Sequence, residues 1–180
     1  EGTLPNTATG MLQEKVSFVA SIQGRAKNPA TEQMQASATA NTNGEILHAL
    51  LELGAGLSQE AVPNPLFQKV AQRLVLPIQR VQGIWPEALR ILSTPLLKIF
   101  FSPENKACTE WALAAADGSL QRLDRVVWLN DTVWILDFKR IDGPPSAAHA
   151  TQLIAYRQTL KLLEPEKQIR CAIITSAALL

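Results

Sequence analysis

Between Ala107 and Arg140 the chain reads as three apolar runs separated by tight-turn signals, and this succession limits the fold more than any other feature. Ala107 to Ala116 leads into Asp117-Gly118, a strong hairpin pair. Leu120 to Leu129 leads into Asn130-Asp131, and Thr132 to Arg140, rich in β-branched and aromatic residues, stops at Gly143-Pro144-Pro145. Three strands joined by two hairpins are expected. Ser146 to Leu163 then has helical character and Ile169 to Thr175 is a last apolar run. A crossover helix should therefore return the chain to a strand parallel to the third, with a right-handed connection. The fold class is α/β in the α+β sense, a mixed central sheet flanked by helices.

The flanking helices should come from the preceding block. Ile46, Leu47, Leu50, Leu51 and Leu57 recur at helical spacing, with Asn43 as the expected N-cap and Gly54 or Gly56 as the end. A second helical region is expected from about Asn64 to Gln82, interrupted near Pro77. A third should begin at Trp85 with Pro86 in its first turn and break before Pro95, where Thr94 starts a short helix through Phe101. Upstream, a short apolar patch covers Val16 to Ile22, and residues 23–43 are rich in Ala, Thr, Asn, Gln and Ser without apolar period. That composition reads as a linker, so residues 1–43 are expected to be a tether and 44–180 the folded domain.

Composition narrows the function by exclusion. A chain of 180 residues that is 47% hydrophobic and 18% charged can build one real core and is not of the disordered class. No stretch reaches the roughly 18 apolar residues of a membrane span, and no secretory leader pattern opens the chain, which starts at Glu1 and reads as a piece of a longer protein. No membrane role is expected, and the location expected is cytoplasmic. Cys108 and Cys171 form no C-x-x-C framework, which points away from a zinc or iron–sulfur site. The net charge of +1 is low for a free-standing DNA-binding module, so any nucleic acid would have to be delivered by something else.

Several polar residues stand out against the apolar strands. In Asp137-Phe138-Lys139 alternation puts Asp137 and Lys139 on one face and Phe138 on the other. Ionic groups at the end of a buried strand need a partner, either each other or a ligand. Asp124 lies on the adjacent hairpin arm, and a two-residue turn at Asn130-Asp131 places it opposite Asp137. Facing carboxylates repel unless a cation lies between them, and hard oxygen donors favour magnesium or manganese. The alternative is an ion pair of Asp124 with Arg122 or Arg125. His48 sits on the first helix with Glu52 four residues on, where it is either a core histidine or a ligand that Glu52 orients. Gln152 and Tyr156 share a face of the crossover helix, and Glu110 on the first strand ranks below the two aspartates.

Taken in order, Gly44-x3-His48-x3-Glu52, Glu110, Leu123-Asp124-Arg125-Val126-Val127, Asp137-Phe138-Lys139 and Gln152-x3-Tyr156 resemble the RecB-type nuclease domains of the PD-(D/E)xK superfamily, over roughly residues 44–176. The likeness is greatest to the C-terminal domains of AddA- and RecB-like helicase-nucleases. It implies a restriction-endonuclease-like core and hydrolysis of DNA phosphodiester bonds with Mg2+ or Mn2+. It also implies metal binding by His48, Asp124, Asp137 and the backbone carbonyl of Phe138. Lys139 would activate water and stabilise negative charge, while Gln152 and Tyr156 would organise the site. The implied setting is bacterial double-strand break repair and recombination, with single-stranded DNA ends fed by a helicase region of the same parent chain and an AddB/RecC-like partner subunit. The usual Asp-Tyr-Lys-Thr appears here as Asp137-Phe138-Lys139-Arg140, and no Walker A motif is present. A catalytically silent DNA- or partner-binding platform of the same fold is the alternative.

Overall fold

The computed structural model describes residues 17–18, 33–56, 64–140 and 145–175, with side chains from residue 40 onward. Its helices are α1 (Gln33–Gly54), α2 (Asn64–Leu74), α3 (Ile78–Ser93), α4 (Lys98–Phe101) and α5 (Ala147–Leu163). Its strands are β1 (Ser17–Phe18), β2 (Ala107–Ala114), β3 (Leu120–Leu129), β4 (Thr132–Lys139) and β5 (Gln168–Thr175). They form one five-stranded mixed sheet in the order β1-β5-β4-β3-β2. The hairpins β2–β3 and β3–β4 are antiparallel, and β5 lies parallel to β4 after the α5 crossover. The mixed sheet flanked by helices agrees with the expected class. Among the described residues no helix is long and apolar enough to cross a membrane.

Both hairpin turns use the expected residues. Gly118 takes φ +81°, which glycine alone adopts freely, and Asp117 Oδ1 accepts from the Ser119 backbone N–H at 2.9 Å and the Ser119 hydroxyl at 2.6 Å. Asn130 turns the second hairpin at φ +52°, a conformation asparagine tolerates. The Gly143-Pro144 step after β4 lies outside the described residues.

Two cores back the sheet. On one face Val127, Leu136, Phe138, Ala172 and Ile174 pack against the apolar sides of α1 to α4. On the other, Val126, Val133, Ile135 and Ile173 pack against Leu153, Tyr156 and Leu160 of α5. Leu136 and Ile135 are both fully buried, which explains why β4 is apolar on both faces.

Two helix starts and one edge strand differ from expectation. α1 begins at Gln33, so the boundary drawn at residue 44 falls inside a helix, and Asn43 Oδ1 accepts from Arg80 Nη2 at 3.0 Å rather than capping. Residues 33–43 carry Ala, Gln and Met, good helix formers without an apolar stripe, so periodicity cannot detect them. Ser17 and Phe18, within the expected tether of residues 1–43, pair with Ala172 and Ile173 as an edge strand. The rest of the Val16 to Ile22 patch, and residues 23–32, lie outside the described residues. Finally, α3 begins at Ile78 and runs through Pro86. Gln82, Gly83 and Pro86 all face solvent, so water can satisfy the carbonyl that the proline leaves unpaired.

Candidate metal centre at the fork of the sheet

The β3–β4 ladder runs from Leu129↔Thr132 to Arg125↔Leu136 and stops. Beyond that point β3 stays with β2 down to Ala114↔Leu120, while β4 stays with β5 out to Lys139↔Thr175. The two middle strands thus part, and Asp124 and Asp137 sit at the parting in the row that extends the ladder. The opposition expected from the two-residue turn is the one observed.

Face alternation also breaks in this row. Leu123 and Val126, three apart, both join the α5-side core, while Val127 joins the other. Across from Asp124, in the row between Thr109↔Arg125 and Trp111↔Leu123, Glu110 adopts φ +50°. A left-handed residue other than glycine costs about 1–3 kcal/mol and is retained where the surroundings enforce it. Here it turns the Glu110 carboxylate toward Asp124 and His48.

The outcome is a convergence of donors. His48 Nε2, a Glu110 carboxylate oxygen and an Asp124 carboxylate oxygen all lie within 4.8 Å of one another. His48 Nε2 donates to the Phe138 carbonyl at 2.8 Å and lies 3.8 Å from Asp124 Oδ2. Asp124 Oδ2 also accepts the Phe138 backbone N–H at 2.8 Å, in place of a ladder bond lost at the fork. The imidazole is held in place by its helix, because Ile46, Leu47, Leu50 and Leu51 around it are all buried. Its ring also meets Phe138 edge-on, with centroids 5.9 Å apart.

Asp137 stands beside this group on the α5 side, 1% exposed. Lys139 Nζ lies 3.0 Å from its Oδ1 and 2.9 Å from Oδ2, yet only the first contact has hydrogen-bond alignment, so Oδ2 remains buried without a hydrogen bond. Burial pushes the Asp124 carboxyl above the usual carboxylate range, against the pull of His48 and with the repulsion of Asp137. The carboxylates of Glu110 and Asp124 with the His48 imidazole are a group of donors that could hold a metal ion.

On α5, Gln152 Nε2 donates to the Tyr156 hydroxyl oxygen at 2.7 Å. Burial raises the phenol's pKa despite that bond, and both aspartates add to the rise, which places the ring beside them. Glu52 turns away from His48 and forms an ion pair with Arg73 of α2. His149, on the same helix, accepts from the Ser146 backbone N–H at 3.1 Å as part of the α5 capping box. The alternative pairing of Asp124 with an arginine is not what forms. Arg122 takes Glu110 at 2.9 Å, and Arg125, buried among Phe100 and Phe101, donates Nε to the Phe100 carbonyl at 2.9 Å. Glu110 was underrated by sequence reasoning. A two-residue turn at Asp117-Gly118 would have set it opposite Arg125; the observed Ala114↔Leu120 register, one residue different, puts it in the row of the two aspartates.

No curated protein matches the chain. A family model described as the PD-(D/E)XK nuclease superfamily matches residues 15–177, a span that takes in β1, the fork and all the residues converging on it. The chain belongs to the PD-(D/E)XK nuclease superfamily.

Proposed function

We propose that this chain is a metal-dependent deoxyribonuclease, an exonuclease domain of an ATP-dependent helicase-nuclease that processes DNA in double-strand break repair and recombination. The observation that carries the nuclease reading is the fork itself. It brings His48 and Asp124 within 3.8 Å and sets the Asp137–Lys139 pair beside them. His48, Asp124, Asp137 and the Phe138 carbonyl would hold Mg2+ or Mn2+, with Glu110 as a further donor. Such a cation neutralises an anionic phosphodiester and acidifies water at the site.

The chain's own groups supply the rest. Lys139 holds Asp137 with an ammonium that is about a quarter exposed, so its free N–H bonds can reach a water or a non-bridging phosphate oxygen. Tyr156 accepts from Gln152 through its oxygen, which leaves the phenolic O–H free to donate toward the aspartates or the substrate. The ordered motifs from Gly44 to Tyr156 support the RecB-type, helicase-linked form of this reading. So does the net charge of +1, since a module so nearly neutral suits delivery of single-stranded ends by a helicase region and an AddB/RecC-like subunit in the cytoplasm.

The test is degradation of linear single-stranded DNA with magnesium, manganese or EDTA, comparing the chain with Asp137→Ala. Metal-dependent cutting that the substitution abolishes supports the reading. Cutting by Asp137→Ala at the original rate refutes the assigned site. An absence of both cutting and manganese binding leaves a silent DNA- or partner-binding platform.

A further inference from the structure

Each carboxylate at the fork has a basic group against it. Lys139 lies on Asp137, His48 beside Asp124, and Arg122 on Glu110 with Nε 2.9 Å from Oε2. The three neighbours differ in how firmly they are held. The side chains of Lys139 and His48 are 23% and 25% exposed, whereas that of Arg122 is 70% exposed. Lys139 and His48 are confined by the sheet and by α1. Arg122 reaches Glu110 from outside, two residues along β3 from Asp124 and the row where the strands part.

We infer that Arg122 is a displaceable counter-ion of Glu110: a divalent cation entering the fork takes the Glu110 carboxylate, and the released guanidinium then binds a backbone phosphate of the nucleic acid. This rests on the nuclease reading above. Glu110 cannot serve both partners fully, because its carboxylate already lies within reach of the Asp124 and His48 donors. Of the three basic groups, Arg122 is the one whose release costs least, since its guanidinium already lies largely in water, which screens the attraction. Once free, its planar fork of N–H donors matches the oxygens of a phosphate. The left-handed backbone of Glu110 fixes where this exchange occurs, because it holds the carboxylate between the two claimants.

The inference gives Arg122 two effects of opposite sign, which a merely structural residue would not show. In Arg122→Gln, manganese affinity measured by calorimetry without DNA should rise severalfold, because the competing cation is gone. Binding of a single-stranded oligodeoxynucleotide should weaken in calcium, with the salt dependence reduced by about one counter-ion, and should be unchanged in EDTA. Arg122→Lys should restore part of the DNA binding.

Equal weakening in calcium and EDTA would show that Arg122 contacts phosphate without leaving Glu110 and would overturn the exchange. Unchanged or weaker manganese binding in Arg122→Gln would overturn it as well, while leaving the nuclease reading intact. If the unsubstituted chain binds no manganese at all, both fail together. Circular dichroism on each variant separates these outcomes from loss of fold.

Discussion

His48 Nε2 stands 2.8 Å from the carbonyl oxygen of Phe138, whose N–H donates to Asp124 Oδ2 at 2.8 Å. A carbonyl can only accept, so that ring nitrogen carries a proton. Coordination through Nε2 requires the lone pair, and the proton must then move to Nδ1. Nitrogen-15 NMR should find Nε2 protonated in EDTA and unprotonated in magnesium. A ring that keeps its Nε2 proton in saturating magnesium would remove His48 from the ligand set. Outer partners of metal ligands are worth roughly 10–100-fold in affinity, and a ligand no less. His48→Ala should thus weaken manganese binding by at least about tenfold.

Asp124 supplies a pH prediction. Its carboxyl is raised, chiefly by burial, so folding favours its protonated form. The resulting contribution to stability is full below the unfolded carboxylate pKa and is lost as pH rises through the higher folded value. At neutral pH without divalent cation, Asp124→Asn should therefore melt higher, by about 2–4 °C, since the amide oxygen can still accept from Phe138 N. The gap should close as pH falls through the raised carboxyl range. Thermal melts between pH 4 and 8 in EDTA test this, and a gap that widens toward acid would contradict it.

Glu110 separates stability from binding. At φ +50° glycine is unstrained and alanine is not, so Glu110→Gly should be more stable than Glu110→Ala by about 1 kcal/mol. Both should lose manganese affinity to a similar degree. Denaturant titration ranks the pair, and equal stabilities would mean that residue 110 relaxes out of the left-handed region.

Tyr156→Phe keeps the ring and removes the hydroxyl that Gln152 engages. Loss of one such bond costs about 0.5–1.5 kcal/mol. Manganese affinity should hold while cutting slows by about a hundredfold or more, the lower bound for a positioned proton donor. A parallel fall in metal binding would assign the tyrosine to the cation rather than to the substrate.

Much of this was legible because strands obey a period of two and hairpins fix register. Two turn residues at Asn130-Asp131 sufficed to place Asp124 opposite Asp137, and buried apolar residues on both faces of β4 signalled a central strand. What escaped depends on exceptions to those periods. Nothing about a glutamate predicts a positive φ in mid-strand, and that single angle turns Glu110 from a neighbour into a donor. Pro86 escaped because its cost depends on whether the freed carbonyl sees water. Arg122 escaped because the nearer claimant seemed to be Asp124, two residues along the same strand, whereas the carboxylate it meets is on β2.

The parting of β3 from β4 also bears on when the chain acquires its chemistry. The groups that meet there arrive on α1, β2, β3, β4 and α5, and the fork exists only once β4 has left β3 for β5, the last of the described strands along the chain. Parallel pairing across a helical crossover is a late, non-local event in folding. Nascent or partly unfolded copies therefore hold His48, Glu110 and Asp124 apart, and the same step that completes the sheet brings them together.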